Sequence, residues 1–180
     1  MKKSLYSLIL MDDVVKEIDE LAQYQNTNRS NLVNQILAEY VSMVTPEKKI
    51  NNIFNYISDL LDRDIFVSFF EPHSSTLSLK SSLNYKYRPT IKYEVELYRS
   101  HEKTVGELKV IFRTQSASLL MELNRFFKYW VHMETVYLSH FYPEDNITYT
   151  LETGRFYRTF KVPAGKKYST ESIANAISNY

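Results

Sequence analysis

The sequence predicts an α+β protein in two parts: a small strand-helix-helix block over residues 1–44, then an α+β domain over 46–180 with a mainly antiparallel sheet. Three observations carry this. Residues 4–10 alternate, with Tyr6, Leu8 and Leu10 on one face and Leu5, Ser7 and Ile9 on the other, and two helical periods follow. Residues 90–113 hold two further runs of period two, parted by a short polar interval, as a hairpin requires. Residues 115–139 repeat apolar side chains every three or four positions, as a long helix does.

Each element has a local cause. Asp12 and Asp13 open the first helix, because carboxylates favour the positive end of the helix dipole. Val15, Ile18, Leu21 and Ala22 form its apolar stripe, and it ends near Gln25-Asn26. Asn28 caps a second helix, with Val33, Ile36, Leu37, Tyr40 and Val41 as its stripe. Thr45-Pro46 marks the division: Thr45 is a cap and Pro46 fits a first helical position. Residues 47–62 form a helix through Ile50, Ile53, Phe54, Ile57, Leu60 and Leu61. The apolar run 65–70 predicts a central strand, and Leu77 and Leu79 mark the next. Ile91, Tyr93, Val95 and Leu97 point inward, then Leu108, Val110 and Phe112 after a turn from Arg99 to Thr104. In the long helix, Leu119, Leu123, Phe126, Trp130, Met133 and Tyr137 form a seam able to pair with another helix. Leu120, Phe127 and Val131 widen it and favour packing on a sheet. Strands near 146–151 and 155–162 and a helix near 170–179 complete the chain, with helices expected on one or both sheet faces.

Composition excludes several classes. Over 180 residues the net charge is +1, too small for a polycation that holds nucleic acid by bulk charge. Three glycines, far apart, cannot build a phosphate loop. The absence of cysteine removes disulfides, thiolate metal sites and thiol nucleophiles, and no targeting or membrane segment is read. The expectation is a cytoplasmic protein that is not an enzyme, has no cofactor and does not meet a membrane. His73, His101, His132 and His140 form no tight cluster, and the last two stand about 12 Å apart along a helix, so no metal site is expected.

A block of 44 residues with one strand buries too little surface to stand alone, and its strand has nothing to pair with. Two chains solve both problems: the strands pair as an antiparallel ribbon and four helices cover its inner face. The strand, the run Asp12-Asp13-Val14-Val15-Lys16-Glu17-Ile18-Asp19-Glu20-Leu21-Ala22, the turn Asn28-Arg29-Ser30-Asn31, and Ile36-Leu37 with Tyr40 fall in that order. Over residues 3–43 this resembles the ribbon-helix-helix superfamily, the Arc/MetJ/CopG type of bacterial DNA-binding protein. The resemblance implies a homodimer, or a pair of dimers as a tetramer, whose ribbon enters the major groove of double-stranded DNA. It implies that Leu5, Ser7 and Ile9 face the bases, that Asn28, Arg29 and Ser30 present a helix N-terminus to a phosphate, and that Lys2 and Lys3 reach the flanking backbone.

Two features leave a second reading open. Leu5 and Ile9 reach thymine methyls but make no bidentate hydrogen bonds to bases. In residues 1–44, Lys2, Lys3, Lys16 and Arg29 stand against Asp12, Asp13, Glu17, Asp19, Glu20 and Glu39, a net charge of −2. Either phosphate contacts and DNA shape dominate, or the block survives only as a dimerisation device.

In the larger block the element order resembles PAS- or GAF-like sensor domains, which implies a small-molecule ligand or a protein partner. Arg155 and Arg158 among Phe156, Tyr157 and Phe160 suit an ordinary strand or a base-stacking platform. Arg158 shares parity with Phe156 and Phe160, so burial of that face demands an anionic partner for it. Lys166-Lys167 suits a solvated loop better than a phosphate contact, and Tyr85, Tyr87, Tyr93 and Tyr98 suit half-buried strands or a pocket. The function expected is a DNA-binding transcriptional regulator with a C-terminal sensing or assembly domain. The alternatives are a plasmid or mobile-element accessory protein (partition, relaxosome or antitoxin) and a scaffold that uses the ribbon only to dimerise.

Overall fold

The first two helices show how far one chain can fold its N-terminal block. The structure is a computed structural model and describes residues 4–69, 74–99, 104–142, 147–162 and 169–179. Helix α1 spans Asp12–Tyr24 and α2 spans Arg29–Tyr40. Asn28 caps α2 as expected, its side-chain oxygen accepting from the Asn31 amide at 2.9 Å. Both helices end in a left-handed residue, Asn26 (φ 52°) and Ser42 (φ 56°). The Thr27 and Met43 amides reach back to the Ala22 and Ala38 carbonyls at 2.9 and 2.7 Å, closing the last turns. Asparagine tolerates this backbone; serine does so at a cost. Ser42→Gly should therefore raise stability by about 0.5–1 kcal/mol in urea denaturation.

The strand expected over residues 4–10 is not formed. A strand is stable only when its amides and carbonyls pair with a neighbour, and the single chain offers this segment none. Tyr6 and Leu8 are therefore exposed on the face expected to turn inward, as Leu5 and Ile9 are on the outer.

After Val44 the chain enters α3 (Pro46–Leu60), capped by Thr45, whose hydroxyl accepts from the Lys48 amide, with Pro46 at the first turn. Then follow β1 (Val67–Phe69), β2 (Thr76–Ser82), β3 (Thr90–Leu97), β4 (Thr104–Arg113), α4 (Ala117–Leu138), a short 3-10 turn (Ser139–Phe141), β5 (Tyr149–Glu152), β6 (Arg155–Lys161) and α5 (Thr170–Ser178). Ser116 and Ser169 cap α4 and α5. Among the described residues six strands form one antiparallel sheet in the order β1-β2-β3-β4-β6-β5. The protein is thus α+β with a mainly antiparallel sheet, as expected.

Register decides the layers. Leu77 lies opposite Val95, Val95 opposite Leu108, and Leu108 opposite Arg158, so one face carries the apolar side chains of β2, β3, β4 and β6. Ile50, Ile53, Phe54 and Ile57 of α3, Ile173, Ala174 and Ile177 of α5, and Phe127 of α4 cover that face. The other face is polar. There Glu94 pairs with Lys92 at 2.5 Å and Lys109 at 3.2 Å.

One expectation needs correction. The apolar run 65–70 is not a central strand: β1 is a three-residue edge, paired only with β2, and its side chains are exposed. An apolar run fixes neither the number of strand neighbours nor burial in the single chain; Phe70 lies outside the described residues. The seam on α4 is divided. Leu119 is buried with Phe127, whereas Met133 and Tyr137 face outward. The wide stripe packs on the sheet because the sheet meets the helix around Phe127, which stacks on Phe156 at 4.3 Å.

Candidate DNA-contact face and interior sites

The eight residues that the sequence singled out for DNA do not all fall within view. Lys2 and Lys3 lie outside the described residues. Leu5, Ser7 and Ile9 are exposed on an unpaired segment. Asn28, Arg29 and Ser30 lie together at the exposed N-terminus of α2. Asn28 is occupied as the cap. The Arg29 guanidinium turns back to α1 and grips the Asp19 carboxylate with two hydrogen bonds, one at 2.6 Å and a shorter one. Hydrogen bonding to Arg29 holds the Asp19 carboxyl below the usual range. The Arg29 side chain therefore staples α2 to α1, and the Ser30 hydroxyl and the first backbone amides of α2 are what this end offers an anion. Asp19, the acidic partner ten positions earlier, was not singled out; its half-buried place beside α2 depends on how the two helices cross.

Of residues 4–44, only Ala22 and Leu32 are buried, each 3% exposed. They close the α1–α2 angle. Leu5, Leu8, Ile9, Met11, Leu37 and Tyr40 are all more than half exposed. Scattered apolar side chains are ordinary on a surface, but a segment that buries only two side chains while exposing these has no core of its own.

The larger block holds a buried ion pair. Arg158 on β6 meets Glu134 on α4, with Nε donating to both carboxylate oxygens at 3.1 Å and Nη2 to Oε1 at 2.8 Å. Each side chain is 8% exposed. Strand parity required an anion for Arg158; the ligand is internal, so the base-stacking alternative finds this arginine already committed. Glu134 had a signal of its own, being seven positions after Phe127 on the same buried stripe. Tyr149, opposite Arg158 in β5, completes the cluster. Burial first, then the charge and hydrogen bond of Glu134, push the Tyr149 hydroxyl well above the ordinary tyrosine range. Its folded-state value lies above the unfolded one, so its contribution to stability is whole below about pH 10 and is lost only as pH rises through the raised value.

Between the helices and the sheet lies a cavity of about 240 Å³. Leu61 of the α3 end, Phe66, Tyr93 and Val95 of the sheet side, Phe126 and Trp130 of α4, and Ser178 of α5 are among its walls. Phe66 and Tyr93 meet edge to face at 5.8 Å, and Phe126 and Trp130 lie 5.8 Å apart. Of the four candidate tyrosines only Tyr93 reaches this wall. The Ser178 Oγ is buried and has no hydrogen-bond partner among the described residues. Its signal in the sequence was position: it follows Ala174 by four, on the buried face of α5.

Among the described residues no three His, Cys, Asp or Glu side chains gather as a metal site, and no helix is long and apolar enough to cross a membrane. His73, His101, Lys166 and Lys167 lie outside the described residues. No family model matches the chain, and no curated protein or solved structure matches it either.

Proposed function

We propose that the protein is a cytoplasmic, homodimeric DNA-binding regulator, its first 44 residues forming a ribbon-helix-helix dimer and residues 46–180 a sensing or assembly domain without catalytic activity. The observation that carries this reading is the apolar surface of residues 4–44, where only Ala22 and Leu32 are buried. A second copy supplies what the block lacks. It pairs residues 4–10 as a ribbon and covers the outward faces of α1 and α2. Leu5, Ser7 and Ile9 then face the major groove, and the α2 amides with Ser30 hold a phosphate.

Purified protein should bind DNA from its own upstream region more tightly than a scrambled fragment, and affinity should fall steeply with salt. Ser30→Glu should weaken every sequence at least tenfold by setting a carboxylate against the phosphate. An acid in the first turn favours the helix, so that loss would not come from unfolding. Unchanged affinity in this variant would remove Ser30 from the contact.

The dimerisation-only reading is favoured by one specific observation, the commitment of Arg29 to Asp19. It expects a dimer in sedimentation equilibrium with no DNA binding even at low salt. A partition, relaxosome or antitoxin role would show as DNA binding together with a protein partner on the larger block.

A further inference from the structure

We infer that the cavity between α3, α4, α5 and the sheet is a binding site for a small, uncharged, planar aromatic molecule carrying one hydrogen-bonding group, which meets Ser178. The inference rests on the sensing role proposed above and supplies the chemical class that role requires.

Size bounds the occupant first. An apolar cavity of about 150 Å³ takes benzene, and this one is about 240 Å³, which suits two fused rings. A helix about 10 Å across does not enter it, so the occupant is neither an amphipathic helix nor α1 of a second copy. Charge bounds it next. Among the described residues no Asp, Glu, Lys, Arg or His lines the walls. A carboxylate or ammonium would lose its hydration there and gain no counter-ion.

Shape follows from the rings. Phe66 and Tyr93 stand on one side, and Phe126, Phe127 and Trp130 on the other. Flat faces and edges on two walls match a flat ligand. Polarity is set chiefly by the Ser178 Oγ, which has no partner among the described residues, and Tyr93 and Trp130 on the same walls carry polar groups of their own; a hydroxyl placed as that of Ser178 gains from any donor or acceptor brought to it. The walls also explain how occupancy would be read. They include the end of α3, whose first turn is tied to α2 by the Lys48–Glu39 ion pair at 2.8 Å.

Trp130 is the only tryptophan of the chain, so the site carries its own reporter. Full-length protein without DNA would be titrated with coumarin and with 2-naphthol, neutral bicyclic probes that respectively accept from and donate to a serine. Saturable change of Trp130 emission by at least one probe, and a raised melting temperature, are expected. Ser178→Ala should weaken that probe about five- to tenfold, the equivalent of one hydrogen bond. Coumarin-3-carboxylate should bind at least a hundredfold more weakly than coumarin. No saturable response to either neutral probe would overturn the proposal, as would equal or tighter binding of the carboxylate, or affinity indifferent to Ser178→Ala. A Trp130 change that follows protein concentration and not probe would assign the cavity to contact between copies, also overturning it. Because DNA is absent, these outcomes stand apart from success or failure of the DNA-binding reading.

Discussion

Arg158→Ala is expected to destabilise the protein by about 3–5 kcal/mol, the range for removing one partner of a buried pair. The guanidinium makes three hydrogen bonds to Glu134, donates through Nη1 to the Thr159 carbonyl at 3.2 Å, and lies 5.0 Å from the Phe160 ring. Its loss leaves the Glu134 carboxylate buried between α4 and the sheet with Tyr149 as the neighbour able to donate to it. The cost comes mainly from that stranded charge, not from the net worth of the pair. Two charges brought out of water together repay little more than their desolvation. The double variant Arg158→Met with Glu134→Leu should accordingly recover most of the loss, ending within about 2 kcal/mol of the parent. Urea denaturation of Arg158→Met, Glu134→Leu and the double closes the cycle. If the double variant is as unstable as Arg158→Ala, the stranded-charge account is wrong and packing of the arginine stem carries the effect.

Gly106→Ala should cost about 3 kcal/mol, near the upper end for overpacking. Gly106 lies in β4 opposite Leu97, just after the irregularity that separates it from Thr104 in the pairing with β6. A Cβ there would stand 2.0 Å from the Glu96 carbonyl oxygen and 3.0 Å from Leu97 Cδ2. The oxygen belongs to the backbone of β3, so relief requires β3 and β4 to part where both are central strands. Gly154 is the control. It turns β5 into β6 at φ 76°, but the nearest atom to an added Cβ is the Phe112 oxygen at 3.6 Å. Gly154→Ala should cost only about 1–2 kcal/mol, from backbone conformation alone. Equal losses at the two positions would show that the close approach at Gly106 does not govern its choice.

Both predictions turn on positions whose residue type was visible long before its reason was. The parity of Arg158 with Phe156 and Phe160 already called for a buried anion. That the anion is Glu134, 24 positions earlier, follows from the angle at which α4 lies on the sheet. The Gly106 approach arises from an irregular register between strands, which alternation in one strand does not record. Ser178 and Phe66 line one cavity although 112 positions separate them in numbering, and nothing periodic links them.

Local chemistry was legible wherever neighbours in sequence are neighbours in space. Asn28, Thr45 and Pro46 mark helix starts because a cap acts within three residues. Ile91, Tyr93, Val95 and Leu97 reveal their strand because period two is a property of the backbone. Elements and their inward faces are therefore written in the chain itself. Their partners are not: burial energy is non-directional, so an apolar run such as 65–70 reads alike at the centre and at the edge of a sheet. Tertiary packing made β1 an edge, chose which side of α4 meets the sheet, brought Glu134 to Arg158 and left the cavity beside Trp130. Each depends on how preformed faces cross, which is settled by the shapes of both surfaces together and by neither segment alone.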